Sequence, residues 1–264
     1  MNDQEDQNSP SPDIPDEVIG PERAFLQMFR IYFEPEVKRR QRRGFLPDPF
    51  TVVKPQVLFF ENRPPEIRLN DEVKISLIAR TPRAIEEGEQ ISLSELQQMQ
   101  IETSELDLAD ADAGHFTAVA VNDRWFMSFD FRRNKLTAAM LIQKAEEFCA
   151  IAEHALSQQH FAPAIDNLFS ACELAAKAQL ITHAVVRGDV KKHGPIHSGI
   201  NFWGKLGNVD REFVEMFNKL FRNRESARYT AGNGDWLINA DMIGKARAEI
   251  AGLKARLKRY GDLA

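Results

Sequence analysis

Between residues 164 and 181 the chain reads AIDNLFSACELAAKAQLI. Ile165, Leu168, Phe169, Cys172, Ala175, Ala176 and Gln179 recur three and four residues apart, so one face of a helix over about Ala162–Val186 is apolar. Upstream, a segment of roughly Lys135–Ser157 repeats the pattern with Leu141, Ala145, Phe148, Ala152 and Ala155. The link SQQHFAP is short and puts Pro163 at a tolerated first-turn position, which predicts an antiparallel helical hairpin.

Downstream, RGDVKKHGPIHSGINFWGKLGN carries five glycines and breaks the pattern. It reads as a solvent-facing loop that packs through Ile196, Ile200, Phe202 and Trp203. A third long helix begins at Val209-Asp210, with Asp210 as its cap and Phe213, Phe217, Leu220 and Phe221 on its inner face. After TAGNGD the last helix starts from Asn239 and carries Ile243, Ala246, Ile250, Leu253, Leu257 and Tyr260. Residues 134–264 therefore read as an all-α bundle.

The N-terminal half obeys a different period. Residues 1–20 hold six acids, three prolines and no base, a composition that reads as a disordered acidic tail. Residues 21–47 read as a helical segment, with Phe25, Met28, Phe29 and Tyr32 or Phe33 at helical spacing, an interruption or kink near Pro35 and a stop at Gly44. Lys38, Arg39, Arg40, Arg42 and Arg43 sit at its end, where cations favour the helix dipole. Residues 48–133 alternate apolar and polar side chains in TVVKPQVLFF, EVKISLIAR, HFTAVAV and RWFMSFDF, the last two joined at Asn122-Asp123. That is a β-rich domain, read as an antiparallel sandwich or small barrel, and the fold class is α+β.

Composition removes several functional classes. With 43% hydrophobic and 28% charged residues the chain is globular. Its two cysteines, Cys149 and Cys172, lie inside apolar helical patterns and suggest no disulfide scaffold, and no apolar leader or span is present, so a cytoplasmic protein with no membrane partner is expected. The net charge of −5 divides into −11 over residues 1–181 and +6 over residues 182–264. A basic C-terminal part attracts phosphate backbones or an acidic protein partner.

The segment FRNRESARYTAG, residues 221–232, is the most informative. With the alanine-rich hairpin and the KKHGPIHSG segment before it, the chain from about Leu136 onward resembles the HEPN family. HEPN ribonucleases are typified by an arginine with a histidine four to six residues further on, and one toxin branch extends this to Arg-Asn-x-x-x-His-x-Tyr. On that pattern Arg222, Asn223 and Tyr229 match, and Ala227 stands where the histidine belongs. Arg224, Ala227 and Tyr229 also fit an Arg-x-x-Ala-x-Tyr form found in HEPN domains that are not obvious nucleases.

The departure matters chemically. Metal-independent RNA cleavage needs a group of near-neutral pKa to move a proton and a cation to stabilise the phosphate in the transition state. Arginine supplies the second; alanine cannot supply the first. Either the domain does not cleave, or another histidine substitutes from space, or position 227 was changed to inactivate the protein. His193 and His197 are the candidates for a substitute proton donor. With His183 they complete no recognisable metal-ligand set, so no metal and no cofactor is expected.

On a continuous helix Arg222 and Tyr229 share a face with Ser226, whereas Arg224 and Ala227 continue the apolar stripe. Arg224 then calls for a buried carboxylate, with Glu173 the candidate, while Glu173 and Lys177 are also spaced for a surface ion pair. The resemblance implies a homodimer that binds RNA or a nucleotide-bearing partner through Arg222, Asn223, Arg224, Arg228 and Tyr229. Two alternatives stay open: an endoribonuclease of a toxin–antitoxin or phage-defence kind, and a structural adaptor.

Overall fold

A computed structural model describes residues 20–121, 124–229 and 238–258. The acidic tail, the Asn122-Asp123 turn, the TAGNGD linker and Tyr260 lie outside these, apart from Gly20. The class is α+β, with antiparallel sheets in the N-terminal region followed by helices. Residue contacts divide the chain into two units: 1–57, 66–73 and 117–127 form one, and 58–65, 74–116 and 128–264 the other.

In the first unit, α1 (Pro21–Met28) passes through a π-helical turn (Phe29–Phe33) into α2 (Glu34–Arg42). Pro35 has no N–H to donate into the preceding turn, so the hydrogen-bond ladder shifts there, and the α-helix is interrupted by a π-helical turn near Pro35. Phe25, Phe29 and Phe33 stack along one side, and Phe25 meets Trp125 at 4.9 Å between ring centroids. Arg40 leaves the basic run to bind Glu36 at 2.6 Å, Glu72 at 2.7 Å and the Ile67 carbonyl at 2.9 Å.

Among the described residues six strands replace the expected sandwich or barrel: β1 (Pro55–Phe59), β2 (Glu66–Leu69), β3 (Ile75–Arg80), β4 (Gln100–Leu106), β5 (Gly114–Val121) and β6 (Arg124–Asp130). They form an open four-stranded sheet, order β2-β1-β5-β6, and a separate β3–β4 ribbon. The ribbon is antiparallel, registers Ile75 with Leu106 and Arg80 with Gln100, and is irregular between Ile78 and Ala79. A short helix, α3 (Leu93–Gln98), lies in its connection.

The second unit contains α4 (Lys135–Ser157), α5 (Phe161–Thr182), α6 (His193–Lys205), α7 (Arg211–Tyr229) and α8 (Ala240–Lys258). Alanines at 138, 145 and 152 on α4, and at 164, 171, 175 and 178 on α5, are buried and let the hairpin backbones approach closely. Phe169 of α5 and Phe217 of α7 stack at 5.6 Å and are fully buried. Burying side chains of that size stabilises by roughly 1.5–3 kcal/mol each. Asp210 caps α7 through Oδ1, accepting from Glu212 N at 2.7 Å and Phe213 N at 3.1 Å, and Asn239 caps α8 at 3.0 Å to Met242 N.

Two features depart from the sequence reading. The glycine-rich segment is helical over His193–Lys205, because its glycines are contact points as well as breakers. A Cβ on Gly199 would lie 3.0 Å from Leu180 Cδ1, and one on Gly204 2.9 Å from Val214 Cγ2, so these positions let α6 seat against α5 and α7. Ile196 and Ile200 are buried as predicted, but Phe202 is 55% exposed. The Glu173–Lys177 pair does not form, since Lys177 Nζ donates to the Val190 carbonyl at 2.6 Å. No helix among the described residues is long and apolar enough to cross a membrane.

Candidate functional site

Three helices converge near the end of α7. On α5, Phe169 and Glu173 lie one turn apart on the same face; on α6, His193 and His197 do the same; on α7, Arg224 points at both. The Arg224 guanidinium sits over the Phe169 ring, Cζ 4.5 Å from its centroid, and Nη1 lies 3.3 Å from His193 Nε2. His193 Nδ1 bonds in turn to Glu173 Oε1. The carboxylate foreseen for Arg224 thus reaches it through an imidazole.

The direction of these bonds assigns a tautomer. Guanidinium only donates, so Nε2 of His193 accepts; a carboxylate only accepts, so Nδ1 carries the hydrogen. With both bonds made, the ring turns its Nε2 lone pair to the cation. Glu173 is 14% exposed and His193 49%, so the relay runs from a half-buried carboxylate to a ring at the surface.

His197, one turn further on, stacks on Phe221 at 4.3 Å and approaches Phe217 at 6.0 Å. His193 meets the Phe169 ring edge-on at 5.9 Å, so both histidines contact aromatic rings of neighbouring helices and do not belong to a free loop. Asn201 and Asn218 exchange amide hydrogen bonds at 2.8 and 3.0 Å and fix the register of α6 on α7.

The remaining motif residues part company. Ala227 is 6% exposed and belongs to the core. Arg222 is exposed, with no ion-pair partner among the described residues, and Tyr229 is 79% exposed. Asn223 is half-buried. Arg228 binds Asp166 of α5 at 2.7 Å, which raises its pKa further and ties it to the bundle. Arg224, His193 and Glu173 are thus one cluster, and Arg222 and Tyr229 are an outer pair.

Residues 138–251, which contain the whole cluster, match the model of the HEPN domain. The match lies wholly in the C-terminal helical region, which is HEPN-like. No curated protein matches the chain. The HEPN assignment marks a nucleotide- or RNA-related module, and HEPN domains commonly dimerise. Phe169 and Phe221 are the members of the HEPN cluster that sequence reasoning missed. Phe169 carried a signal, being four residues before Glu173; Phe221 was legible only as core, since nothing in one sequence sets the register of α6 on α7. Among the described residues no three of His, Cys, Asp or Glu gather as metal ligands would.

Proposed function

We propose that the HEPN domain pairs with a second copy and binds RNA, or a nucleotide-bearing partner, through the end of α7 without cleaving it. The observation that carries this reading is the split of the motif: Arg222 and Tyr229 stand exposed on the outer face of α7 while Ala227 is buried. Seven residues apart, they lie within about 20° of each other on the helix. A cation beside an exposed ring suits a phosphate and a stacked base. The +6 charge of residues 182–264 adds long-range attraction for a polyanion. With alanine at the motif position, α7 offers no imidazole of its own. The test is anisotropy of a labelled single-stranded RNA with the full chain across a salt series. Binding that steepens at low salt and weakens with Arg222→Ala supports the reading; salt-insensitive or absent binding favours the adaptor.

A second reading, metal-independent endoribonuclease, is favoured by one observation: Glu173, His193 and Arg224 assemble an oriented imidazole beside a cation. In that reading Nε2 takes the 2′-hydroxyl proton and Arg224 stabilises the phosphate charge. Incubation of labelled RNA without divalent ions decides it. Cleavage by the unmodified chain that is lost with His193→Ala replaces the binding-only reading.

A further inference from the structure

At the far end of α5 the HEPN bundle and the end of β6 enclose a cavity of about 580 Å3. His183, at its edge, lies ten residues from Glu173, about 15 Å along the chain at a helical rise of 1.5 Å per residue. The floor is buried and mainly apolar, made by Ile142, Ala178 and Leu253, with Leu257 beside them and the buried polar side chains of Gln179 and Thr182 among them. The mouth is of two kinds. Phe129 and Phe131 stand there 61% and 53% exposed, their rings stacked at 5.7 Å. Arg132, His183 and Arg256 supply the polar side.

The charges are unequal. Asp130 clamps Arg132 through both oxygens, at 2.9 and 3.0 Å, and Arg132 Nη1 donates to the Arg256 carbonyl at 2.8 Å. Among the described residues Arg256 pairs with Glu249, two turns back on the same face of α8 at 2.9 Å, in a partly exposed ion pair of the weak kind. The lining thus holds Arg132 and Arg256 against Asp130, a surplus of one positive charge. Burial, then the neighbouring Arg132, push the His183 pKa down, in keeping with an electropositive mouth.

We propose that this cavity binds a small organic anion: a flat apolar body that ends in one carboxylate or phosphoryl group. The volume is that of a small-ligand site, in which apolar walls bury the body and a few polar groups orient it. The exposed Phe129 and Phe131 rings offer faces for a planar body, and Arg256 offers the charge for its anionic end. The proposal stands on this cavity alone and is independent of RNA binding at the end of α7.

The test is calorimetric titration of the full chain with 1-naphthoate, 1-naphthyl phosphate and the neutral 1-naphthamide. Binding of one acid per chain is expected, with the amide about tenfold weaker, the scale of one lost charge-assisted hydrogen bond. Arg256→Gln and Phe131→Ser, both at exposed side chains, should each weaken the acid by a similar factor with circular dichroism unchanged. The better of the two acids identifies the anionic group. Equal affinity for acid and amide, affinity unmoved by both substitutions, or no acid binding at millimolar concentration overturns the proposal.

Discussion

Arg224 and His193, 31 residues apart in sequence and on different helices, meet at 3.3 Å with a carboxylate behind the histidine. An imidazole of α6 thus lies against an arginine of α7. Long-range 1H–15N spectra should report His193 with its proton on Nδ1 and a bare Nε2. In Glu173→Gln that tautomer loses its carboxylate acceptor, and the two forms should become mixed. An Nε2–H form in the unmodified chain contradicts the relay.

Arg222 and Arg228 should behave differently toward RNA. Arg222 has no ion-pair partner among the described residues, so Arg222→Ala should weaken binding and reduce the salt slope by about one. Arg228 is held by Asp166, and a phosphate would have to displace that carboxylate. Arg228→Ala should therefore cost less than Arg222→Ala, as read by anisotropy at two salt concentrations.

Restoring the motif histidine should not restore a nuclease. Ala227 is 6% exposed, so Ala227→His forces a polar ring into packed core and should destabilise by roughly 1–3 kcal/mol. Thermal melts check the first part, and divalent-free RNA cleavage the second. Cleavage by this variant, abolished again by Arg222→Ala, would place the site on the outer face of α7.

On α4, Leu136, Met140 and Ile151 are exposed at 45%, 58% and 51%, and their spacing sets them along one side of the helix. If the domain pairs through this stripe, light scattering of the full chain should give a dimer mass, and Met140→Lys with Ile151→Lys a monomer. A monomer in the unmodified chain at tens of micromolar removes dimerisation from the functional reading.

Acid should weaken the fold before its carboxylates titrate. His115 is 6% exposed, and burial, with Lys135 nearby, lowers its pKa from 6.5 to about 4. Between those values the unfolded chain binds the proton and the folded one does not, so stability is full above 6.5 and falls as pH drops toward 4. The loss reaches about 3 kcal/mol. Urea midpoints measured across this window should decline, and His115→Asn should flatten the curve.

Much of the helical region was legible from one chain. The stripe of Ile165, Leu168, Phe169 and Cys172 defined α5, and Asp210 and Asn239 marked two helix starts, because caps and periodicity are local. What was hidden depends on distant contacts. Gly199 and Gly204 look like breakers until Leu180 and Val214 are seen beside them. The Gln100–Leu106 strand shows weak alternation and is held by its partner β3. Arg224 lies over Phe169, and its neighbour His193 follows from how α6 docks.

The matched HEPN segment begins after the contacts that anchor it. Asp112 accepts from Leu136 N at 2.8 Å at the start of α4, the Ala113 carbonyl takes Lys135 Nζ at 3.0 Å, and Glu61 holds Gly188 N at 2.5 Å. A gene fragment cut at residue 134 leaves all three acceptors behind. Transplanting the helices alone should yield an aggregation-prone graft, and a recombination that moves this module intact must carry the strands along with it.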